Sequence, residues 1–352
     1  MQNNQLYIEY LKSGISISTD TGCSLSCRYC IVDEFSAGQS CIKLSPEYIA
    51  NEICNFKLYN PNTPIMINNR TDPLLPGVKD NTFKLLEILE ERGIQNPRVI
   101  ISKLTVGDKY LDRFDHIKTP VFLFRTFSGM PSNIEPVSSF NNFQKMISEN
   151  IKLQQYANIH HVHYWRPIIP GINSDKQLIK QIINMADAGF DCSVVSGIRL
   201  TDHLYDKLTG FGADLSGWNH DTNHKYLDAN IYNDIISTKN TINPQYNIFR
   251  NTSCAISALL NRADYNLNFI KKRFCDGCVN TENCANHQVS EITKHPALNG
   301  IDYVIDKDTL IVTSPVSQEQ ISFIKHCFGY NVQATQILKD KSELLIEKST
   351  TR

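Results

Sequence analysis

Residues 21–30 read TGCSLSCRYC and place three cysteines, Cys23, Cys27 and Cys30, within eight positions. They directly follow a short apolar stretch, ISIS at residues 15–18, which predicts a β-strand. Three thiolates on one loop can face a common point and bind an iron–sulfur cluster, although such clusters normally take four cysteines, so either a distant fourth is borrowed or one iron stays open. A structural zinc loop is the alternative, but no fourth Cys or His lies close by.

Outward from this loop, strand-like and helix-like segments alternate over the first two hundred residues. Five further apolar stretches predict strands: PIMIN at 64–68, RVIIS at 98–102, PVFLF at 120–124, HVHYW at 161–165 and CSVVS at 192–196. Helical periodicity follows Ser45-Pro46 and fills residues 81–92, 140–156 and 175–188, whereas residues 105–115 stay undecided. Such alternation predicts an α/β fold with a parallel sheet, either doubly wound or a partial barrel. In both cases ligands bind at the carboxyl ends of the strands, where the cysteine loop falls.

With Tyr29 just before the third cysteine, the C-x3-C-x2-C spacing after strand one resembles the signature of the radical S-adenosylmethionine (SAM) superfamily. The resemblance covers roughly residues 14–200 and implies a partial (β/α)6 barrel. It also implies that Cys23, Cys27 and Cys30 hold a [4Fe–4S] cluster whose open iron chelates SAM. In that family, one electron from a donor such as flavodoxin or ferredoxin cleaves SAM to a 5′-deoxyadenosyl radical, which abstracts hydrogen from the substrate.

The resemblance further implies SAM contacts at the ends of strands two and three. Residues 68–73, NNRTDP, depart from the Gly-Gly-Glu motif of many members and are similar to the spore photoproduct lyase-like branch. Asn69 and Asp72 are the polar substitutes there, with a plain Asp-Pro turn as the alternative. Lys103 ends strand three and is a candidate for contact with cofactor or substrate, against an exposed surface role.

Later strand ends supply the remaining cofactor candidates. Arg125 and Ser128 lie in RTFSG after strand four, where the family often places ribose and carboxylate contacts. Residues 165–175, WRPIIPGINSD, resemble the fifth-strand motif of the lyase-like branch, and the guanidinium of Arg166 suits the SAM carboxylate. Val195, at the end of strand six, would offer its backbone to adenine.

A second cysteine group lies in residues 271–284, KKRFCDGCVNTENC. Zinc is the generic interpretation of Cys275, Cys278 and Cys284 at this spacing. Beside the first motif, they instead resemble part of the SPASM or twitch auxiliary-cluster module, although Gln288 stands where the full module has a further cysteine. One auxiliary [4Fe–4S] cluster is therefore expected. Its fourth ligand would be Cys254 or, second, Cys327, unless an incomplete set leaves an iron open.

Composition limits the classes of protein. The chain has 352 residues, 35 Lys+Arg against 36 Asp+Glu, and 41% hydrophobic residues, which is ordinary for a globular protein. No apolar run reaches the ~18 residues that span a bilayer, and the first residues lack an export signal. The near-zero charge argues against nucleic acid as the main partner. Eleven cysteines then favour metal or redox chemistry in a reducing cytoplasm, with Cys54 and Cys192 read as core.

The rhythm changes after about residue 200. Residues 201–251 look polar and irregular, and the tail predicts strands at 303–305 and 309–313, a helix at 318–328 and further strands up to 347. The predicted organisation is an N-terminal extension (1–13), a radical SAM partial barrel (14–210), a linker and auxiliary-cluster region (211–298) and a small C-terminal α/β subdomain (299–352). The fold class is thus a partial (β/α)6 barrel followed by a C-terminal α+β iron–sulfur region.

The favoured function is hydrogen abstraction from a peptide or protein, followed by oxidation or bond formation assisted by the auxiliary cluster. Families with this C-terminal module often modify ribosomally made peptides, and the tail is a candidate site for binding such a peptide. One alternative is a radical SAM dehydrogenase or lyase acting on a small molecule or nucleotide. Another is a non-catalytic metal-binding scaffold, which would not cleave SAM.

Overall fold

The computed structural model describes residues 7–30, 43–222, 224–271, 275–292 and 295–338. Its largest unit is an eight-stranded sheet. The strands are β1 (Ile8–Leu11), β2 (Gly14–Ile17), β3 (Ile65–Ile67), β4 (Arg98–Ser102), β5 (Val121–Thr126), β6 (Ile159–Trp165), β7 (Cys192–Val195) and, later in the chain, β10 (Asn247–Phe249).

The order of the strands in this sheet follows the chain from β1 to β7 and then β10. β1 is antiparallel to β2, and every later neighbour pair is parallel. A doubly wound sheet reverses its strand order at a switch point, and this one does not. The predicted α/β fold and its six strands are therefore confirmed, and the open choice resolves to a partial barrel.

Helices occupy the gaps between the parallel strands. They are α1 (Pro46–Cys54), α2 (Lys79–Glu91), α3 (Asp108–Leu111), α4 (Phe140–Leu153) and α5 (Lys176–Asp187). The starts of α1, α4 and α5 follow from capping, because the Ser45, Ser139 and Asp175 side chains accept backbone N–H groups that the first turn leaves unpaired. The undecided residues 105–115 contain α3 and the beginning of a 3-10 turn, Asp112–His116.

Alternation along the strands separates two cores. In β5, Phe122 and Phe124 point to the concave side of the sheet, whereas Val121 and Leu123 belong to the core under the outer helices. The concave side is filled by α8 (Thr252–Leu259), whose Ala255 packs there. The barrel interior is therefore packed on its concave side by α8.

The expectation of an irregular segment at residues 201–251 is wrong. β8 (Ile198–Arg199) lies just before this segment. The segment itself contains α6 (Asp202–Thr209), β9 (Lys225–Tyr226), α7 (Ala229–Ile242) and β10. β8 and β9 form a short antiparallel hairpin, and β10 joins the main sheet beside β7. Strands of two or three residues are too short to produce a periodic pattern, and α7 buries only Ile235 fully.

The described part of the tail matches its predicted elements. After the short helix α9 (Thr281–Ala285), the strands β11 (Tyr303–Asp306), β12 (Thr309–Val312) and β14 (Asn331–Ala334) form one sheet. β13 (Val316–Ser317) pairs with β15 (Ile337–Leu338), and α10 spans Gln318–Phe328. α10 packs on β1, with the Phe323 ring 5.8 Å from that of Tyr10. The strands predicted beyond residue 338 lie outside the described residues.

The cysteines in the described residues are all free thiols, and Cys41 lies outside those residues. Cys192 is buried as expected, but Cys54 ends α1 with its side chain exposed, which corrects its assignment to the core. None of the helices within the described ranges is both long and apolar enough to cross a membrane.

Candidate functional site

A cavity of about 220 Å³ lies at the carboxyl ends of the parallel strands. Its walls come from the chain just beyond successive strands: the cysteine loop after β2, residues 69–72 after β3, Lys103 after β4, Thr126 at the end of β5, Arg166 after β6 and residues 197–199 after β7. This is the edge where open parallel sheets bind their ligands.

Cys23, Cys27 and Cys30 all line the cavity. Burial raises the pKa of Cys27 to about 12, and the nearby Lys103 ammonium acts in the opposite direction. In the described part of the chain, no three His, Cys, Asp or Glu side chains gather closely enough for a single metal ion. A four-iron cluster instead places each thiolate on a different iron, so three thiols on one cavity wall fit it.

The cysteine loop is fastened to the neighbouring strand. Asn68 adopts a left-handed backbone with φ of 53°, which Asn tolerates better than most residues, and its side-chain oxygen Oδ1 accepts the Thr19 N–H at 2.8 Å. Its amide donates to Thr82 Oγ1 at 2.8 Å, and the Thr71 hydroxyl donates to the Gly22 carbonyl at 2.5 Å. These bonds fix the position from which the thiols face the cavity.

Asn69 and Asp72 both lie in the cavity wall, as expected. The Asp72 carboxylate is buried and accepts the Ser102 hydroxyl at 2.6 Å and the Lys103 backbone N–H at 2.8 Å. Burial raises the pKa of Asp72, and these hydrogen bonds oppose the rise. Asp72 therefore joins the ends of β3 and β4 in addition to facing the cavity. Contact of either side chain with SAM remains a prediction.

Lys103 lines the cavity as the centre of a buried cluster. Its ammonium lies 3.0 Å from Glu135 Oε2 and 2.6 Å from the Tyr29 hydroxyl, which also contacts Glu135. Burial lowers the pKa of Lys103 and raises that of Glu135 to about 8. Lys103 thus holds Tyr29, the residue before Cys30, in place. Glu135 belongs to no motif, and nothing in the sequence singles it out.

Three of the predicted cofactor residues do not line the cavity: Arg125, Ser128 and Val195. Arg125 points toward the outer helices and pairs with Glu149 at 3.1 Å. Ser128 is buried and its carbonyl accepts the Asn173 amide at 2.6 Å, while Val195 packs in the core under the outer helices. Gly197 and Ile198, just beyond β7, line the cavity instead.

Arg166 lines the cavity beside Tyr164, to whose hydroxyl it donates at 2.7 Å. The Tyr164 hydroxyl also lies 3.0 Å from Thr252 Oγ1, at the start of α8. Burial opposes ionisation of Tyr164, but the charges of Arg166 and Lys225 prevail and lower its pKa to about 8. Lys225 and Arg199 complete this side of the cavity, and neither was predicted, because both lie in the short β8–β9 hairpin.

The second cysteine group includes Cys254, which lies in the first turn of α8. Cys254 and Cys278 pack against the core on the concave side of the sheet. Burial is the main cause that raises the pKa of Cys254, followed by the charge of Asp264. Electrostatic interaction with Cys278 and Cys275 raises this pKa further, and the same two thiols raise the pKa of Cys284. These four thiols therefore lie within electrostatic range of one another, but within the described residues they do not gather closely enough for a single metal ion.

Amide groups point at two of these sulfurs. The Asn251 amide lies 3.8 Å from Cys254 Sγ, and the Asn280 amide lies 3.7 Å from Cys284 Sγ. Cys327 instead packs beside the core that includes β1 and α10. The structure brings Cys254, and not Cys327, to the second group, while metal binding there remains a prediction.

No protein-family model matches the sequence, and a search of curated proteins finds no significant match. Solved structures do match the fold. A variant of spore photoproduct lyase with bound AdoMet and dinucleoside spore photoproduct has a TM-score of 0.51 at 13% identity, covering 70% of this chain and 79% of that one. Spore photoproduct lyase complexed with the dinucleoside has a TM-score of 0.50 at 14% identity over the same shares. The chain therefore has the partial-barrel fold of these radical SAM enzymes, as the cysteine motif predicted.

Proposed function

We propose that this protein is a radical SAM enzyme that cleaves SAM at the cavity and abstracts hydrogen from a bound substrate. One observation carries the proposal: Cys23, Cys27 and Cys30 converge on the ligand-binding edge of a barrel whose fold is shared with an AdoMet-bound lyase. A [4Fe–4S] cluster with SAM, given an electron by a donor such as flavodoxin or ferredoxin, supplies the 5′-deoxyadenosyl radical. The protein supplies binding, orientation and exclusion of water.

The wall residues divide this work. The three thiols hold the iron–sulfur cluster. The contacts of Lys103 with Tyr29 and Glu135 fix the loop that carries these thiols. Asn69 and Asp72, next to that loop, are suited to the SAM amino group, because both present oxygen acceptors. Arg166, across the cavity, is suited to a carboxylate, because its fork can make two parallel hydrogen bonds.

The second cysteine group supports an auxiliary [4Fe–4S] cluster that exchanges electrons with the substrate radical. Its four thiols lie within electrostatic range of one another, and amide N–H groups near the Cys254 and Cys284 sulfurs are of the kind that tune cluster potentials. Thr252, on the same helix as Cys254, bonds Tyr164 beside the cavity. This hydrogen bond and that of Tyr164 to Arg166 link the helix that carries Cys254 to one wall of the cavity.

The substrate that we favour is a peptide or protein, which would be oxidised or gain a new bond. The tail supports this choice, because β11 is an edge strand with Val304 and Ile305 largely exposed, a surface to which an extended peptide can add. A small molecule or nucleotide is the alternative substrate, and it would need no such surface.

Cofactor cleavage tests the proposal. After anaerobic reconstitution with iron and sulfide, and reduction with dithionite, the full-length protein is expected to convert SAM to 5′-deoxyadenosine and methionine. The products are measured by liquid chromatography with mass detection. A non-catalytic scaffold would form no 5′-deoxyadenosine, and that result would refute the proposal.

The peptide assignment needs a separate readout. A peptide encoded beside the gene is expected to lose the mass of two hydrogen atoms when incubated with the reducing system and SAM. Deuterium transfer from the labelled peptide to 5′-deoxyadenosine would identify it as the hydrogen source. Transfer from a labelled small molecule or nucleotide instead would favour the alternative substrate class.

Two cysteine variants test the auxiliary site. Cys254→Ser is expected to lower the iron content from roughly eight to about four atoms per chain, whereas Cys327→Ser should leave it unchanged. Iron, sulfide and zinc are quantified together on the reconstituted proteins. If Cys327→Ser lost the iron, or if wild type held one zinc and only about four irons, the auxiliary cluster with Cys254 would be contradicted.

A further inference from the structure

The charges on the cavity wall do not balance. The charged side chains lining it are five cations and one carboxylate, that of Asp72. Two of the cations are neutralised from behind the wall: Arg70 lies 2.7 Å from Glu9, and Lys103 lies 3.0 Å from Glu135. Positive charge therefore accumulates on the opposite side of the cavity.

The remaining three cations are Arg166, Arg199 and Lys225. Within the described residues, none of them forms an ion pair with a carboxylate. Arg166 donates to the Tyr164 hydroxyl, and Arg199 Nε donates to the Thr222 carbonyl at 2.9 Å, so the protein partners of both guanidinium groups are uncharged. The described residues therefore supply no carboxylate that neutralises these three cations.

The β8–β9 hairpin brings two of these charges face to face. Arg199 and Lys225 are directly opposite each other in its antiparallel register. Like charges at directly opposed positions destabilise a sheet. The side chains of Arg199 and Lys225 are exposed, and the pKa of Lys225 falls to about 8 chiefly because of the charge of Arg166, with the charge of Arg199 contributing as well. The repulsion is relieved when an anion binds between them.

Two glycines allow the backbone and side chain of Tyr226 in β9 to pack closely against neighbouring residues. A Cβ atom at Gly197, just before β8, would come within 1.7 Å of the Tyr226 carbonyl oxygen. A Cβ atom at Gly217 would come within 2.7 Å of the Tyr226 hydroxyl. Glycine at these two positions thus permits β9 to pack this closely.

We infer that Arg199 and Lys225 bind an oxyanion carried by the substrate, a carboxylate or a phosphate. The inference rests on the proposed function, because it assigns the SAM carboxylate to Arg166 and leaves two cations for the substrate. The thiols follow β2 and the hairpin follows β7, at distant positions in the strand order. The substrate class is therefore an acidic one, whose anionic group points away from the cluster loop.

Calorimetry on the full-length protein tests this site without turnover. Inorganic phosphate and succinate are titrated separately into the anaerobically reconstituted protein, so that the two sources of an oxyanion are compared. At least one is expected to bind, and Lys225→Gln and Arg199→Gln should each weaken that binding by roughly tenfold or more. Lys180→Gln, which removes an exposed charge on α5 outside the cavity, should bind like wild type.

Several outcomes would overturn the inference. They are the absence of binding of both anions to wild type, an equal loss in the Lys180 and Lys225 variants, or complete displacement of phosphate and succinate by saturating SAM. The last would assign the site to the cofactor carboxylate. Binding that survives in SAM supports the substrate site, even if no 5′-deoxyadenosine is formed, so failure of this inference and failure of the proposed function remain distinguishable.

Folding of the variant is checked by the same charge argument. In low salt without added anion, Lys225→Gln should melt at a temperature no lower than wild type, because it removes one of two opposed like charges. Added phosphate should raise the melting temperature of wild type more than that of the variant. A variant that is destabilised in low salt would show that Lys225 has a structural role, and would refute the assignment.

Discussion

Replacing Cys23, Cys27 and Cys30 together by alanine is expected to abolish SAM cleavage completely. The same variant should retain about four of roughly eight iron atoms, because only the cluster on the β2 loop loses its ligands. The three thiols line the cavity and form no disulfide, so their removal breaks no covalent cross-link in the fold. Iron and sulfide analysis, with circular dichroism to check the fold, measures both expectations.

The matched control is Cys54→Ala. Cys54 is also a free thiol, but it is exposed at the end of α1 and does not line the cavity. It should keep the full iron content and the full rate of 5′-deoxyadenosine formation. Retention of all iron in the triple variant would show that these cysteines do not bind the cluster. Loss of all iron there, with one zinc retained, would make the second cysteine group structural.

The barrel was predictable because its strands are buried on both faces. A stretch such as PVFLF places apolar side chains on the concave and the helix-facing side at once, and this continuous pattern is typical of parallel sheets. β10 escaped prediction because a three-residue strand has too few positions to show a pattern. It is fixed by its neighbours, since it pairs with β7 and packs against α8.

Alternation explains which predicted site residues reach the cavity. Lys103 is in phase with Val99 of β4, and Arg166 is in phase with Val162 of β6, so both follow the concave side. Arg125 is in phase with Leu123, which faces the outer helices. The alternation along β5 therefore predicts that Arg125 faces the outer helices, although it lies near the carboxyl end of the strand.

No comparable signal existed for Arg199 and Lys225. They are separated by 26 positions in the sequence and meet because two-residue strands on either side of residues 200–224 pair with each other. Glu135 likewise meets Lys103 and Tyr29 through the tertiary fold alone. Charge clusters assembled from distant loops depend on loop geometry, which single-sequence patterns do not encode.

Glu149→Gln is expected to lower the free energy of unfolding by about 3–5 kcal/mol, because it leaves the Arg125 guanidinium buried without its counter-charge. The side chains of Arg125 and Glu149 are only 1% and 9% exposed. The Glu149 carboxylate also accepts the backbone N–H groups of Val106 at 2.9 Å and Gly107 at 2.7 Å. Equilibrium unfolding in urea measures the change.

An exposed ion pair that also involves α4 provides the control. Asp108 of α3 lies 2.6 Å from Lys152 of α4, but the two side chains are 79% and 56% exposed. Asp108→Asn should therefore cost at most about 1 kcal/mol, since water and salt screen such pairs. A loss in Asp108→Asn as large as that in Glu149→Gln would mean that burial is not the source of the effect.

A double variant that lacks both charges shows whether the instability comes from the unpaired Arg125 cation or from lost contacts. The double variant Arg125→Met with Glu149→Leu should recover part of the stability lost in Glu149→Gln, because apolar side chains of similar size remove the buried charge altogether. Recovery should stay incomplete, since the Val106 and Gly107 N–H groups lose their acceptor. These N–H groups belong to the loop that directly follows Lys103, so the double variant should also weaken SAM binding by displacing Lys103 and the Tyr29 it holds. Unchanged SAM affinity in a stable double variant would show that this ion pair supports the fold alone.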